Sequence, residues 1–447
     1  MKESPKRPWW SYEWWWLLPA VAACIVCYLR FPVLENDDHP PIIRYIAETG
    51  EWPSVLKFRS SQHMLYYHTL SAYLYRALEY SAPILHIPPD RAGQLVNLAF
   101  FFSLMILLVY ILRQLIPDYR SRILALLFFG SSTRWITMSV TVDNDTMMAL
   151  AATIALFWSI RMMGRREMPS WGTVLLIAFI LGLGAAIKQN GQQFLFPLAL
   201  CLIARYWFYG NQFSSLLVRA LWSVVIILIF TLPFYFRHHQ DTGSWIHHDQ
   251  GFHQKNWSGD SWEFFTFRFG EIIRRPFTPI PDIEDERVCP ADLSWPSKVY
   301  IFWWSLPDFL PDRPPALPTA AIFITALPLT GIFLAGLAGV LWGIKGTPRW
   351  LPPLGWIGVV AFFVILASVL FPEPRWGCHV YPRMWLGAVG GIIPLFALGC
   401  SRIVERRPTI RWVIYSLVGI HVAVFWWLLL SGPFYSFYQP WPIMNIT

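Results

Sequence analysis

The sequence predicts an all-α polytopic membrane protein with about 11 transmembrane helices. Three observations carry this reading. Of 447 residues, 55% are hydrophobic and 14% charged, where soluble domains carry roughly a quarter charged residues. The apolar residues fall into long runs, many reaching the roughly 20 residues that a helix needs to cross a hydrocarbon core. The short alternating strands of an outer-membrane barrel are absent, which leaves helices to satisfy the backbone in lipid. Aromatic residues cluster at run ends, as in Trp14-Trp15-Trp16 and Trp303-Trp304, where amphipathic rings sit at headgroup level.

Lys2, Lys6 and Arg7 precede the first span, 14–31, and no small-residue cleavage site follows it, so the span is expected to be retained with its N-terminus in the cytoplasm. Further spans are expected at 93–116, 122–140, 146–163, 171–187, 192–209, 219–236, 318–343, 351–371, 384–401 and 412–430. The short connections then assigned to the cytoplasm hold Arg120 and Arg122, Arg165 and Arg166, Lys345 and Arg349, and Arg402, Arg406, Arg407 and Arg411. This obeys the positive-inside rule. It also accounts for the net charge of +8 without nucleic acid, because the basic residues are scattered between apolar runs rather than gathered on one soluble segment.

Two long connections, 32–91 and 237–317, fall on the non-cytoplasmic side, and loops of that length are usually functional or disordered. In the first, Ile42, Ile43, Ile46 and Ala47 recur at helical spacing after Pro40-Pro41, and 65–78 has the same character, as expected of amphipathic helices on the membrane surface. The second is less periodic and reads as a cap or lid. The chain thus divides into a transmembrane module 1–236 that includes the first loop, a cap 237–317, and C-terminal helices 318–447. Cys24, Cys27, Cys201 and Cys400 read as packing residues, whereas Cys289 and Cys378 fall in external segments where a disulfide is permitted.

Directly after the first span stands Glu35-Asn36-Asp37-Asp38-His39. Such an acidic group abutting a span and opening an amphipathic helix suits a carboxylate held at the bilayer edge better than a solvated loop start. This group, with Ile43-Arg44-Tyr45-Ile46-Ala47-Glu48-Thr49-Gly50-Glu51-Trp52-Pro53 and Gln62-His63-Met64-Leu65-Tyr66-Tyr67, resembles the first external loop of GT-C glycosyltransferases. The similarity is to the branch of protein O-mannosyltransferases, the lipid A aminoarabinose transferase and phospholipid-carrier-dependent enzymes. Asp38 stands where Glu is commoner, and His63-Met64 where Pro is usual. The family's catalytic acid would correspond to Asp37, Asp38 or Glu35, with Asp38 favoured.

Two further segments fit the same resemblance. Asp143-Asn144-Asp145-Thr146 matches the family's second external acidic site, and Lys188-Gln189-Asn190-Gly191 its Thr-Lys-x-x-Gly-like signature. Taken alone, Asp145-Thr146 could equally cap a helix, and Lys188 could snorkel to the interface. The resemblance implies a membrane glycosyltransferase that takes a hexosyl or pentosyl group from a polyprenyl-phosphate donor, such as an undecaprenyl or dolichyl phosphate sugar, to a glycan, lipid or protein acceptor. The site would face outward from a bacterial inner membrane or into the endoplasmic reticulum. Such a donor already carries a good leaving group, so the chemistry asks for a carboxylate to take the acceptor's proton and for cations to hold the phosphate.

Asp38 suits the first role. Lys188, Arg375 and Arg383 suit the second, with Arg59 and Lys57 in reserve. His39, Arg44, His63, Tyr66, Tyr67, Asp143 and Asp145 are substrate-site candidates. One carboxylate acting in a single displacement would invert the sugar. Arg375 and Arg383 could equally anchor a helix start. The run His238, His239, His247, His248 and His253 matches no metal-ligand spacing, and His421 reads as a buried hydrogen-bonding group. No cofactor is indicated, nor is a divalent metal, though carboxylates would accept one. Asn256-Trp257-Ser258 and Asn445-Ile446-Thr447 fit a glycosylation acceptor pattern in a eukaryotic host. The alternative reading, a transporter or flippase of lipid-linked substrates, calls for paired broken spans and mid-membrane charges, and neither is evident.

Overall fold

The apolar runs fold as helices, one of them broken, in the computed structural model, which describes residues 12–30, 34–35, 39–58, 65–245, 266–277, 294–304, 315–343, 347–370 and 385–431. A 3-10 turn, Glu13–Leu17, leads into α1 (Leu18–Arg30). The first loop contributes a two-residue strand β1 (Leu34–Glu35), α2 (His39–Thr49) and α3 (Tyr66–Leu85). Then come α4 (Ala92–Leu115), α5 (Tyr119–Gly130), α6 (Thr133–Met138), strand β2 (Thr141–Val142) and α7 (Asp145–Met163). Next are α8 (Trp171–Ile187), α9 (Leu195–Tyr209) and α10 (Phe213–Thr242). The cap region contributes α11 (Phe269–Arg274) and α12 (Trp295–Trp304). The chain continues with α13 (Ala316–Gly343), α14 (Leu351–Leu370), α15 (Val389–Arg406) and α16 (Arg411–Ser431).

Six helices among the described residues are long and apolar enough to cross a membrane, those ending at Leu115, Met163, Thr242, Gly343, Leu366 and Ser431. The other expected spans carry shorter helices, 12 residues in α5 and 17 in α8. The fold is therefore helical and polytopic. One expectation differs: 122–140 is broken into α5 and α6, because Gly130-Ser131-Ser132 makes a turn in which the Ser131 hydroxyl donates to the Leu127 carbonyl at 2.8 Å. Glycine and serine are common causes of such breaks. The break turns the chain back toward β2, which pairs with β1 in parallel, Leu34 opposite Thr141 and Glu35 opposite Val142. This short sheet was not expected from the sequence.

The main core runs through α4, α5, α7, α13 and α15, where the Phe128 and Phe396 rings stack at 4.1 Å. α13 and α15 touch backbone to backbone. A Cβ on Gly336 would stand 1.8 Å from the Leu395 carbonyl oxygen, and one on Gly399 would stand 2.0 Å from that of Ile332. Small residues allow this approach where lipid gives helices no hydrophobic reason to associate. A second, smaller core lies beneath the first loop, joining Ile42, Ile43, Ile46 and Ala47 of α2 to Tyr67, Ala72, Val96 and Val142.

Charged side chains at one end of the bundle are tied to backbone and to each other. Glu13, 3% exposed, accepts from Arg113 at 2.7 Å and from Arg122 at 2.6 Å. Burial pushes the Glu13 carboxyl up, but the hydrogen bonds from Arg113 and Arg122 outweigh it and hold the group below its ordinary value. Arg205 donates to the carbonyls of Met162, Arg166 and Glu167. Arg122, Arg166 and Arg349 thus gather where the sequence assigned the cytoplasmic connections.

Candidate functional site

At the opposite end, the Asp143-Asn144-Asp145 turn joins β2 to α7, and each polar side chain in it has a distinct task. Asp143, fully buried, accepts from the Asp145 backbone N–H at 3.0 Å, which turns the chain into the helix. Asn144 donates across to the Ile187 carbonyl, at the end of α8, at 3.0 Å. Asp145, 1% exposed, stands in the first turn of α7, where the helix dipole favours a negative charge. Its carboxylate forms an ion pair with the Lys188 ammonium. The Lys188 side chain keeps 14% exposure, and an ammonium has three N–H donors. The ion pair therefore leaves donor capacity toward solvent.

Lys188 is held by a close turn. The Gly191 N–H donates to the Lys188 carbonyl at 2.8 Å, and a Cβ on Gly191 would come within 2.6 Å of the Gly184 carbonyl group. Only glycine lets this turn pack onto the end of α8. Gln192 next to it donates to the Tyr235 hydroxyl of α10 at 3.2 Å.

The first loop is fastened against this turn on both sides. Asn97, buried in α4, donates to the Asp143 carbonyl at 3.0 Å and also to the Thr141 carbonyl, fixing the strand that carries β1. Tyr67 is buried and donates to the Gly93 carbonyl at 3.1 Å. Burial, and the negative charge of Asp143, push its phenol well above the ordinary value, so it stays neutral. His39 and His68, both buried, share a 2.7 Å hydrogen bond between Nδ1 and Nε2, so one of the two nitrogens is an unprotonated acceptor. On the outer side the Val55 N–H donates to Asp241 at 2.8 Å. Arg237 donates to the Pro53 carbonyl and lies over the Trp52 ring at 5.6 Å. Trp52 in turn meets the edge of Tyr66, which is 40% exposed.

The structure thus brings together His39, Tyr67, Asp143, Asp145 and Lys188. It sets Arg44 apart: its guanidinium pairs with Asp90 at 2.9 Å on an exposed face. Asp37, Asp38, Arg59, His63, Arg375 and Arg383 lie outside the described residues, as do Cys289, Cys378, His247, His248, His253, Asn256 and Asn445. The segment containing Asp37 and Asp38 is bounded by Glu35, paired with Val142, and by His39, bonded to His68. Among the described residues no group of three or more His, Cys, Asp or Glu could hold a metal ion. His238 instead shares a 2.7 Å hydrogen bond with the Ser244 carbonyl.

Asn97, His68 and the Trp52–Arg237 contact were not foreseen. Asn97 carried a readable signal, a polar residue inside an apolar helix, which is a functional candidate by default. The other two had none, because they depend on contacts between distant segments.

No protein-family model matches the chain, and no curated protein matches its sequence. Solved structures do match. ArnT from Cupriavidus metallidurans bound to undecaprenyl phosphate is 17% identical, with 89% of this chain and 80% of that one covered and a TM-score of 0.40. Its apo state is 16% identical, with coverages of 88% and 79% and the same TM-score. The archaeal oligosaccharyltransferase AglB from Archaeoglobus fulgidus, in complex with an inhibitory peptide and a dolichol-phosphate, is 11% identical with a TM-score of 0.50. That match covers 96% of this chain, which spans 57% of the length of AglB. The chain shares its fold with this archaeal oligosaccharyltransferase.

Proposed function

We propose that the chain is an integral membrane glycosyltransferase that moves a sugar from a polyprenyl-phosphate donor to an acceptor on the non-cytoplasmic face, with inversion. The observation that carries this reading is the Asp143–Asp145–Lys188 cluster at the mouth of α7 and α8, joined by the β1–β2 pairing to the strand that ends one residue before Asn36. A cation shared with a buried carboxylate suits transfer from a lipid phosphate. The dolichol-phosphate bound to AglB, which shares the fold, supports the donor class.

In this reading the acceptor oxygen attacks the anomeric carbon and its proton passes to Asp38. The bond from that carbon to the phosphate oxygen breaks, and the lipid phosphate leaves with the bonding pair. Lys188 offers its remaining N–H donors to the departing phosphate, and Asp145 keeps the ammonium aimed. Arg59, Arg375 and Arg383 are further candidates for that phosphate, by resemblance alone. Asp37 is the neighbouring alternative base. Tyr67 and the His39–His68 pair hold the start of α2, and so the end of the acidic segment.

The test separates donor affinity from transfer rate in purified protein. Asp38→Asn should lower the rate by about 10²-fold or more with donor affinity retained, the usual scale for loss of a general base. Lys188→Ala should instead weaken donor binding or the departure of phosphate, because it removes a charge and not a proton acceptor. Wild-type rates from both Asp37→Asn and Asp38→Asn would remove the first-loop acid as base.

A further inference from the structure

The end of the bundle remote from Lys188 carries a cavity of about 430 Å³ between the last turns of α4 and α7 and the Pro348–Trp350 turn before α14. Four arginines line it, Arg113, Arg161, Arg165 and Arg349, together with Tyr110 and Phe157, and among the described residues no carboxylate does. Arg161 and Asp145 stand 16 residues apart on the same helix, about 24 Å along its axis at ~1.5 Å per residue. The cavity is therefore separate from the proposed transfer site.

Topology alone does not require this convergence. The positive-inside rule asks only for basic residues on one side and says nothing of their meeting in a cavity. Here Arg113 shares Glu13 with Arg122, while Arg161, Arg165 and Arg349 make no ion pair among the described residues. Arg349 reaches the cavity by crossing Gly164, where a Cβ would stand 2.5 Å from its Nε, and donates at 3.4 Å to the Gly164 carbonyl. Cationic charge thus gathers here that the carboxylates among the described residues leave largely unbalanced.

The walls indicate the source of the balancing anion. Tyr110 is 46% exposed and meets the Trp14 ring at 5.7 Å, and Arg113 lies over Trp14 at 5.2 Å. Arg161 lies over Phe157 at 5.5 Å and Trp158 at 5.3 Å. These aromatics set the cavity at the depth of an interfacial belt, where headgroups lie. Basic pockets between transmembrane helices on the cytoplasmic side suit lipid phosphates.

We propose that this cavity binds the phosphate headgroup of an anionic phospholipid of the cytoplasmic leaflet. The guanidiniums hold the phosphate oxygens, and the exposed aromatic flank takes the glycerol and upper acyl chain. A soluble phosphate offers the same charge without the acyl part.

The experiment is native mass spectrometry of the purified full chain, titrated with phosphatidylglycerol or phosphatidylcholine, with millimolar orthophosphate as competitor. The wild type should retain one phosphatidylglycerol more tightly than phosphatidylcholine, and orthophosphate should not displace it. Arg161→Gln, Arg165→Gln and Arg349→Gln together should weaken that retention on the order of 100-fold, at about fivefold per guanidinium. Arg165→Gln alone touches only an exposed side chain, so it guards against misfolding of the triple variant, and it should show the single fivefold step. Equal phosphatidylglycerol retention by wild type and Arg165→Gln, or no preference over phosphatidylcholine, would overturn the proposal. Displacement by orthophosphate would assign the cavity to a soluble anion and equally overturn the lipid assignment.

Discussion

The two ends of the bundle differ in what most of their buried charge is bonded to. At the end assigned to the cytoplasm, buried charges lean on main-chain carbonyls: Arg122 on those of Ile116 and Pro117, Arg205 on those of Met162, Arg166 and Glu167, and Arg219 on that of Pro169. These contacts bind helix ends and short connections together. At the other end two buried carboxylates, Asp143 and Asp145, sit within three residues at the start of one helix, with Lys188 paired to Asp145. One end uses buried charge as fastening, and the other gathers two buried carboxylates at the start of a single helix.

The comparison breaks first, if it breaks, at Asp145. Asp145→Ala leaves Lys188 without its carboxylate, and removing one partner of a buried pair costs about 3–5 kcal/mol. Thermal unfolding should show that loss, and Asp145→Ala/Lys188→Met should recover part of it. A double variant as unstable as Asp145→Ala would mean that the ion pair is not what the site rests on.

The fastening end is sharpened by Glu13→Gln, which weakens charged hydrogen bonds to Arg113 and Arg122 and should cost about 1.5–3 kcal/mol. The sign with pH follows from the lowered folded-state value. Glu13 contributes stability above its ordinary 4.5, and that contribution is lost as pH falls through the lower folded-state value. The gap in midpoint between wild type and Glu13→Gln should therefore close in acid. A gap independent of pH would contradict the pairing.

Gly191→Ala should cost about 1–3 kcal/mol by overpacking against the carbonyl group of Gly184, and it should weaken donor binding by shifting Lys188. Normal donor affinity in a destabilised Gly191→Ala protein would separate the turn from the site. The smallest effect belongs to Arg44→Gln, since its exposed ion pair with Asp90 is worth about 0–1 kcal/mol. Its transfer rate should match wild type. A large loss of rate would return Arg44 to the site.

Much of this organisation was legible in the chain because long apolar runs and basic connections speak directly of helices in lipid. The segment 171–187 was read with the bounds of α8, and the Ile42, Ile43, Ile46 and Ala47 spacing anticipated the buried face of α2. The broken span at Gly130-Ser131-Ser132 was missed because hydropathy continues across it while the backbone does not. The β1–β2 pairing has two residues per strand, too few for any alternation to register. Lys188 and Asp145 were each readable as candidates, but their ion pair spans 43 positions and exists only once α7 and α8 lie side by side. The reach of Arg44 to Asp90 was hidden for the same reason.

Sugar transfer from a lipid phosphate at the acidic end can be measured directly. Reconstituted wild-type protein, supplied with labelled polyprenyl-phosphate hexose and pentose donors and a panel of acceptors, tests it most directly through release of free polyprenyl phosphate and the anomeric configuration of the labelled product. Release is expected with one donor class, with an inverted product and a loss of about 10²-fold or more in Asp38→Asn. Release at the wild-type rate from Asp37→Asn and Asp38→Asn alike, or a product that retains its configuration, would contradict it.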